Sequence, residues 1–170
     1  MYKIGDNLLY GSNGVMQVVD IREEEACDQL RSYYVLRAAT GRSESLVFVP
    51  TDNERLSSLM HPLLTREGVN ALLGEAIDAS VIEWNENSRA RTESFKRIIE
   101  SGDRRKILAM MRSIYESGIR REELGKKNYI ADEAIKQKAE KLLSVELSVV
   151  LSVTEEEALA LIKNKVESEK

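Results

Sequence analysis

Trp84 is the only tryptophan in this chain of 170 residues, and Arg89 and Arg91 stand just behind it. Lys96 and Arg97 follow, and then Arg104, Arg105 and Lys106. A large flat ring beside several cations has two ordinary uses. It can stack on a base while the cations hold phosphates, which grips nucleic acid without reading its sequence. It can equally plug a gap in a core, with the cations solvated on the outer faces of helices. Covalent chemistry has much less to work with. His61 and Cys27 are each the sole residue of their type, so catalytic triads and zinc sites built on His or Cys are nearly excluded. No Gly-rich phosphate loop and no Gly-x-Ser-x-Gly elbow occurs. Carboxylates are plentiful, but a run such as Glu155-Glu156-Glu157 is explained by helix capping and the macrodipole. No polar set shows the asymmetry that a general acid and base require. The chain is therefore expected to be no enzyme, and to need no cofactor, metal or small-molecule substrate. An enzyme would instead show a pocket of clustered carboxylates with perturbed pKa values.

The net charge is −4, which argues against a protein that coats nucleic acid unaided. The average conceals a gradient. Residues 1–80 carry seven Lys/Arg against twelve Asp/Glu, residues 81–130 twelve against eight, and residues 131–170 six against nine. The positive zone is the one that holds Trp84. Hydrophobic residues at 42% and charged residues at 32% suit a soluble globular protein. No apolar run could span a bilayer, and the start, with Asp6 and Asn7, lacks a signal-peptide pattern. With a lone cysteine, these features predict a cytoplasmic protein without a membrane partner.

The elements that must position Trp84 differ on its two sides. Before it, Leu8-Leu9-Tyr10, Val15 to Ile21, Tyr33 to Leu36 and Leu46 to Val49 are short β-branched and aromatic runs separated by turn formers. They predict strands joined by hairpins. Gly11 to Gly14 is a tight turn, Pro50 ends the fourth strand, and Met60 to Leu64 offers a short fifth. Such strands suggest a small, highly curved antiparallel sheet or partly open barrel with at least one open edge. Arg22, Glu23, Glu24 and Glu25 would blunt such an edge, or a partner would add its own strand there.

Behind the strands the period changes to that of helices. Thr65 caps a short helix ending near Gly74, and residues 75–87 form a polar connector. Asn87 or Ser88 caps a helix with Phe95, Ile98 and Ile99 on one face, closed by Gly102. Asp103 caps the next, with Ile107, Leu108, Met111, Ile114 and Tyr115 inward and Gly118 after it. A linker over 119–128 leads to a long helix with Ile135, Ala139, Leu142, Leu143, Leu147 and Val150 at helical spacing. Thr154 and Glu157 form a capping box for the last helix. The whole predicts an α+β chain, with a compact helical bundle behind the sheet. Arg104, Arg105 and Lys106 crowd a helix N-terminus, where cations are unfavourable, so they point to a use outside the fold such as phosphate contact.

These residues, taken in order, resemble the CarD/CdnL family of bacterial transcription regulators. Its small Tudor-like β module is also the RNA-polymerase-interacting domain of transcription-repair coupling factors. The resemblance lies in Ile4-Gly5-Asp6, Leu9-Tyr10, Gly14-Val15, Ile21, Tyr33 to Leu36 and Val49-Pro50. In the back half it lies in a Trp before an Arg-bearing helix, Ser101-Gly102-Asp103, and Ala139 to Leu143 with Glu146-Leu147. It implies that residues 1–64 hold the β subunit of RNA polymerase, through Arg22, Glu24, Leu46 and Phe48. It implies that residues 65–170 touch promoter DNA, through Trp84, Arg89, Arg91, Lys96, Arg97, Arg104 and Arg105. Trp84 would be a wedge at the upstream edge of the melted bubble that stabilises the open complex. The rival is an adaptor that binds polymerase without touching DNA. The chain also departs from the family, with Gly11 where Pro is frequent and Glu24 and Phe48 at positions that are usually basic. Strand addition with an apolar anchor is then expected at the polymerase contact.

Overall fold

The computed structural model describes residues 1–26, 29–40 and 45–168; Cys27 lies outside them. The chain divides into two compact units, Met1–Leu63 and Leu64–Lys170.

The first unit is an open antiparallel sheet. Its strands are β1 (Asn7–Tyr10), β2 (Val15–Ala26), β3 (Gln29–Ala38), β4 (Leu46–Pro50) and β5 (Met60–Pro62), in the order β4-β3-β2-β1-β5. Period-two alternation sends Leu8, Tyr10, Met16, Val18, Tyr34, Leu36, Val49 and Met60 into one buried cluster. The register slips between Val18 and Asp20, a bulge that increases local twist. Gly11 takes φ +45 and donates its N–H to the Leu59 carbonyl at 2.8 Å. Proline could do neither, which accounts for glycine here. A single turn, α1 (Glu54–Ser57), capped by Asn53, precedes β5. β2 pairs with β1 only over Val15–Gln17, and its outer half, with Arg22 to Glu25, pairs with β3 alone. The charges expected to blunt an edge therefore cover the open side of β2.

The second unit consists of α2 (Arg66–Gly74), α3 (Ser88–Glu100), α4 (Arg104–Glu123), α5 (Ile130–Leu151) and α6 (Glu155–Ser168). Side-chain oxygens of Thr65, Asn87 and Asp103 accept from the third N–H beyond them. Each thereby satisfies one of the orphan donors of a helix start. Thr154 and Glu157 bond to each other's backbone N–H. α5 touches α2, α3, α4 and α6, and Leu142 to Ser148 are all buried. A helix buried on every side is the centre of its bundle.

Three sequence expectations fail here. Gly118 does not end its helix, for α4 runs through it to Glu123. Asn128 lies so close that a β carbon on Gly118 would sit 3.1 Å from its Nδ2, so this glycine serves close approach. The linker expected over 119–128 shrinks accordingly, and Gly125, at φ +66, closes the helix. Tyr115 is half-buried instead of inward.

Candidate functional site

Each unit carries one candidate surface. In the first unit it is the edge of β4. Thr51 donates its N–H to the Ser32 carbonyl at 2.9 Å. Counting back by twos makes Val49–Tyr34 and Val47–Leu36 hydrogen-bonded pairs in the observed register. The backbone groups of Leu46 and Phe48 therefore point away from β3, and among the described residues no strand lies beyond them. Pro50, without an N–H, falls on an outward position too, where it breaks no ladder bond.

The side chains of Leu46 and Phe48 share the face opposite Val47 and Val49, and are 43% and 42% exposed. Arg22 holds its guanidinium 5.3 Å from the Phe48 ring centroid, and Tyr33 meets that ring edge-on at 6.5 Å. Asp20 and Glu24 lie 3.1 and 3.5 Å from Arg22. The structure thus gathers Arg22, Glu24 and Phe48 into one patch with Leu46 two residues along. It adds Tyr33 and Asp20, which the sequence reading had not singled out. Their signal was period two: Tyr33 must face away from the core that Tyr34 enters. The patch is apolar at its centre and acidic in balance.

In the second unit the indole of Trp84 is half-buried. Its ring meets Phe95 at 6.0 Å and 60°. The guanidinium of Arg91 lies 4.4 Å from its centroid, and 4.6 Å from that of Tyr129 on α5's N-terminal flank. Arg121 then sits 3.9 Å from the Tyr129 ring. Ring and cation alternate in the order Trp84, Arg91, Tyr129, Arg121.

Arg91 is expected from sequence to contact DNA, but it is 0% exposed. Its Nε donates to both oxygens of Asp132 at 3.2 and 3.1 Å, and its Nη2 to Oδ2 at 2.8 Å. Its Nη1 donates to the carbonyls of Asn85 and Glu86 at 2.6 and 3.5 Å. Helical spacing puts Arg91 on the face of Phe95, four residues on, and a buried arginine must be paired. The partner, Asp132, is 41 residues away in sequence, so only the fold reveals it.

The other cations separate into two groups. Arg104 is 10% exposed and forks onto Glu146, itself 0% exposed, at 2.6 and 3.0 Å. Its Nη1 donates to the Gly102 carbonyl, and Glu146 also accepts from the Leu64 N–H at 3.0 Å. Arg105 is exposed but forks onto Glu75 at 2.5 and 2.7 Å. Two members of the cluster expected to serve an external ligand, Arg104 and Arg105, thus have a reason in the fold, while Lys106 is exposed. On α3, by contrast, Arg89, Lys96 and Arg97 are all exposed. Glu93 lies among them. The Lys96 ammonium bonds Glu93 at 2.8 Å and, with weaker help from Arg97 and Arg89, holds its carboxyl below the usual range. Glu100, exposed and at helical spacing from Lys96 and Arg97, shares this face, so three cations against two carboxylates leave it only slightly positive.

A groove of about 340 Å³ opens between α2 and α4, with Leu72, Ile77, Val81 and Leu108 among its walls. Its carboxylates are engaged. Glu75 is held below its ordinary range by hydrogen bonding to Arg105, and Asp78 by bonds from Ser80. Asp103 caps α4. Both shifts run opposite to the raised pKa of a general acid. No helix among the described residues is long and apolar enough to cross a membrane.

Comparison with known proteins bears on the first unit above all. Residues 2–63 match the family model of the CarD-like/TRCF RID domain, from the second residue of that unit to its last. YdeB of Bacillus subtilis (strain 168), named as a candidate transcription factor, is 26% identical over 99 residues. That alignment covers 56% of this chain and 63% of the relative, so the chain spans less than two thirds of that protein. The aligned share of this chain exceeds its whole first unit, so the similarity runs on into the helices.

Proposed function

We propose that this protein, whose residues 2–63 are a CarD-like/TRCF RID domain, regulates transcription initiation by binding RNA polymerase and promoter DNA. The observation that carries the reading is this domain, with the outer edge of β4 unpaired among the described residues. The β subunit would add a strand along Leu46 and Phe48, taking their outward backbone groups and covering the exposed Phe48 ring. An acidic patch replaces the family's usual basic one, so apolar burial and main-chain bonds would dominate this contact.

The helical unit would meet DNA at the upstream edge of the bubble. A partly exposed indole can offset unstacking by stacking on a base, and Arg89, Lys96 and Arg97 would lie along the phosphates. Arg91 and Arg104 are engaged inside the fold and Arg105 on Glu75, so the DNA-facing set narrows to Trp84, Arg89, Lys96 and Arg97. With a net charge of −4, free affinity for DNA would be weak, and tethering to polymerase would supply the effective concentration. The protein would act in the cytoplasm without catalysis of its own.

A second reading has its own support. So many cations of the helical unit are paired internally that an adaptor without DNA contact is consistent with them. Two variants separate the readings. Phe48→Asp should weaken pull-down of polymerase by about thirtyfold, a hot-spot loss, and undiminished recovery would move the contact elsewhere. Trp84→Ala should leave pull-down intact and shorten open-complex lifetime by about tenfold. An unchanged lifetime would favour the adaptor.

A further inference from the structure

We infer that Arg91 is a positioning residue that sets the orientation of the Trp84 indole. The inference deepens the DNA-contact reading and rests on it for its purpose, though not for its geometry. A side chain on a connector between helices ordinarily samples several rotamers. Here one buried guanidinium acts on both the ring and its backbone. Its face covers the indole at 4.4 Å. Its Nη1 grips the carbonyls of Asn85 and Glu86, the two residues after Trp84. Its Nε and Nη2 are locked to Asp132 at the start of α5, and its guanidinium also lies 4.6 Å from the Tyr129 ring centroid. The connector thereby inherits the rigidity of α3 and α5. Only arginine offers a planar fork for a carboxylate and two flat faces for rings at once. A desolvated cation against an indole is also the strongest pairing of its kind. An indole held in this way loses little conformational freedom on meeting a base, which is the advantage of preorganisation.

Trp84 is the sole tryptophan, so its fluorescence in the full-length chain reads the indole directly, without nucleic acid. Arg91→Lys keeps a charge opposite Asp132 but loses the fork and the stacking. Its indole emission should move to the red, and acrylamide quenching should rise about two- to threefold. Arg91→Met with Asp132→Leu removes the ion pair without leaving a buried charge. That pair should retain a cooperative melt, show the same freed indole, and shorten open-complex lifetime as far as Trp84→Ala. Adding Trp84→Ala to it should change the lifetime no further. An unaltered indole in either folded variant overturns the inference. A freed indole with an unaltered lifetime sustains the positioning role and overturns the wedge. Should the Arg91 variants lose their melt, Tyr129→Leu leaves the ion pair in place and removes the second ring against the guanidinium. Its indole should quench more readily than wild type, and unchanged quenching counts against the inference. Arg91→Ala with free guanidinium added should restore the emission of the wild type, an outcome that a general loss of packing would not give.

Discussion

The outer face of α3 and the start of α4 are neighbours in sequence and carry similar numbers of cations, yet their charges are used differently. At the start of α4, Arg104 closes on the buried Glu146 and Arg105 on Glu75. On α3, Arg89, Lys96 and Arg97 stay at the surface beside Glu93 and Glu100. A run of arginines is therefore no sign of a ligand until its carboxylates have been located. Two of the three unfavourable placements at the α4 N-terminus are offset, because an ion pair at short range outweighs the partial charge of a helix end.

This contrast can be broken experimentally. The largest effect is expected at Arg104. Its loss leaves Glu146 buried and charged, so Arg104→Ala should lower unfolding free energy by about 3–5 kcal/mol, measured by urea denaturation. A variant that melts like wild type but binds DNA poorly would turn the α4 cluster into an interface after all. Next come Arg97→Ser and Arg105→Ser, which remove the same charge from the two regions. In polymerase-tethered DNA binding, Arg97→Ser should reduce the salt slope by about 1, and Arg105→Ser should leave it nearly unchanged. Equal slopes would erase the distinction.

The smallest effect concerns Glu93. Its carboxyl is held low by Lys96 first, then by Arg97 and Arg89. A depressed pKa keeps it ionised to lower pH than an ordinary carboxylate, and its favourable contribution to folding is full above the ordinary value and is lost as pH falls from there through the depressed one. DNA affinity should therefore not rise between pH 7 and about 5 through neutralisation of Glu93. Glu93→Gln, which cancels the anion at all pH, should raise affinity by about twofold. A rise in wild-type affinity that this variant abolishes would show Glu93 to be titrating within that window.

Local features were readable before any coordinates. Thr65, Asp103 and the Thr154–Glu157 box each act within three residues of themselves, so their roles follow from spacing, and the structure chooses Asn87 over Ser88 as the cap of α3. Strand runs ended by Pro50 and by the turn at Gly11 are of the same kind. Gly118 shows where this stops. Its neighbour in space is Asn128, and a glycine needed for close approach looks in sequence like one that ends a helix. Arg91 shows it more sharply. Its spacing to Phe95 put it on the buried face, but the pull of neighbouring surface cations in the sequence suggested an exposed role.

By itself the sequence determined the order of the strands and longer helices, several helix caps and the resemblance that led to the CarD-like/TRCF RID domain, since these rest on periodicity, capping and local residue order. Only the tertiary structure decided which charges are available. Pairing depends on carboxylates that the fold brings from as far as 42 residues away, as for Arg104 and Glu146. Coulomb attraction acts through space and ignores chain order, so the same residue type becomes a clasp at Arg91 and a surface cation at Arg97.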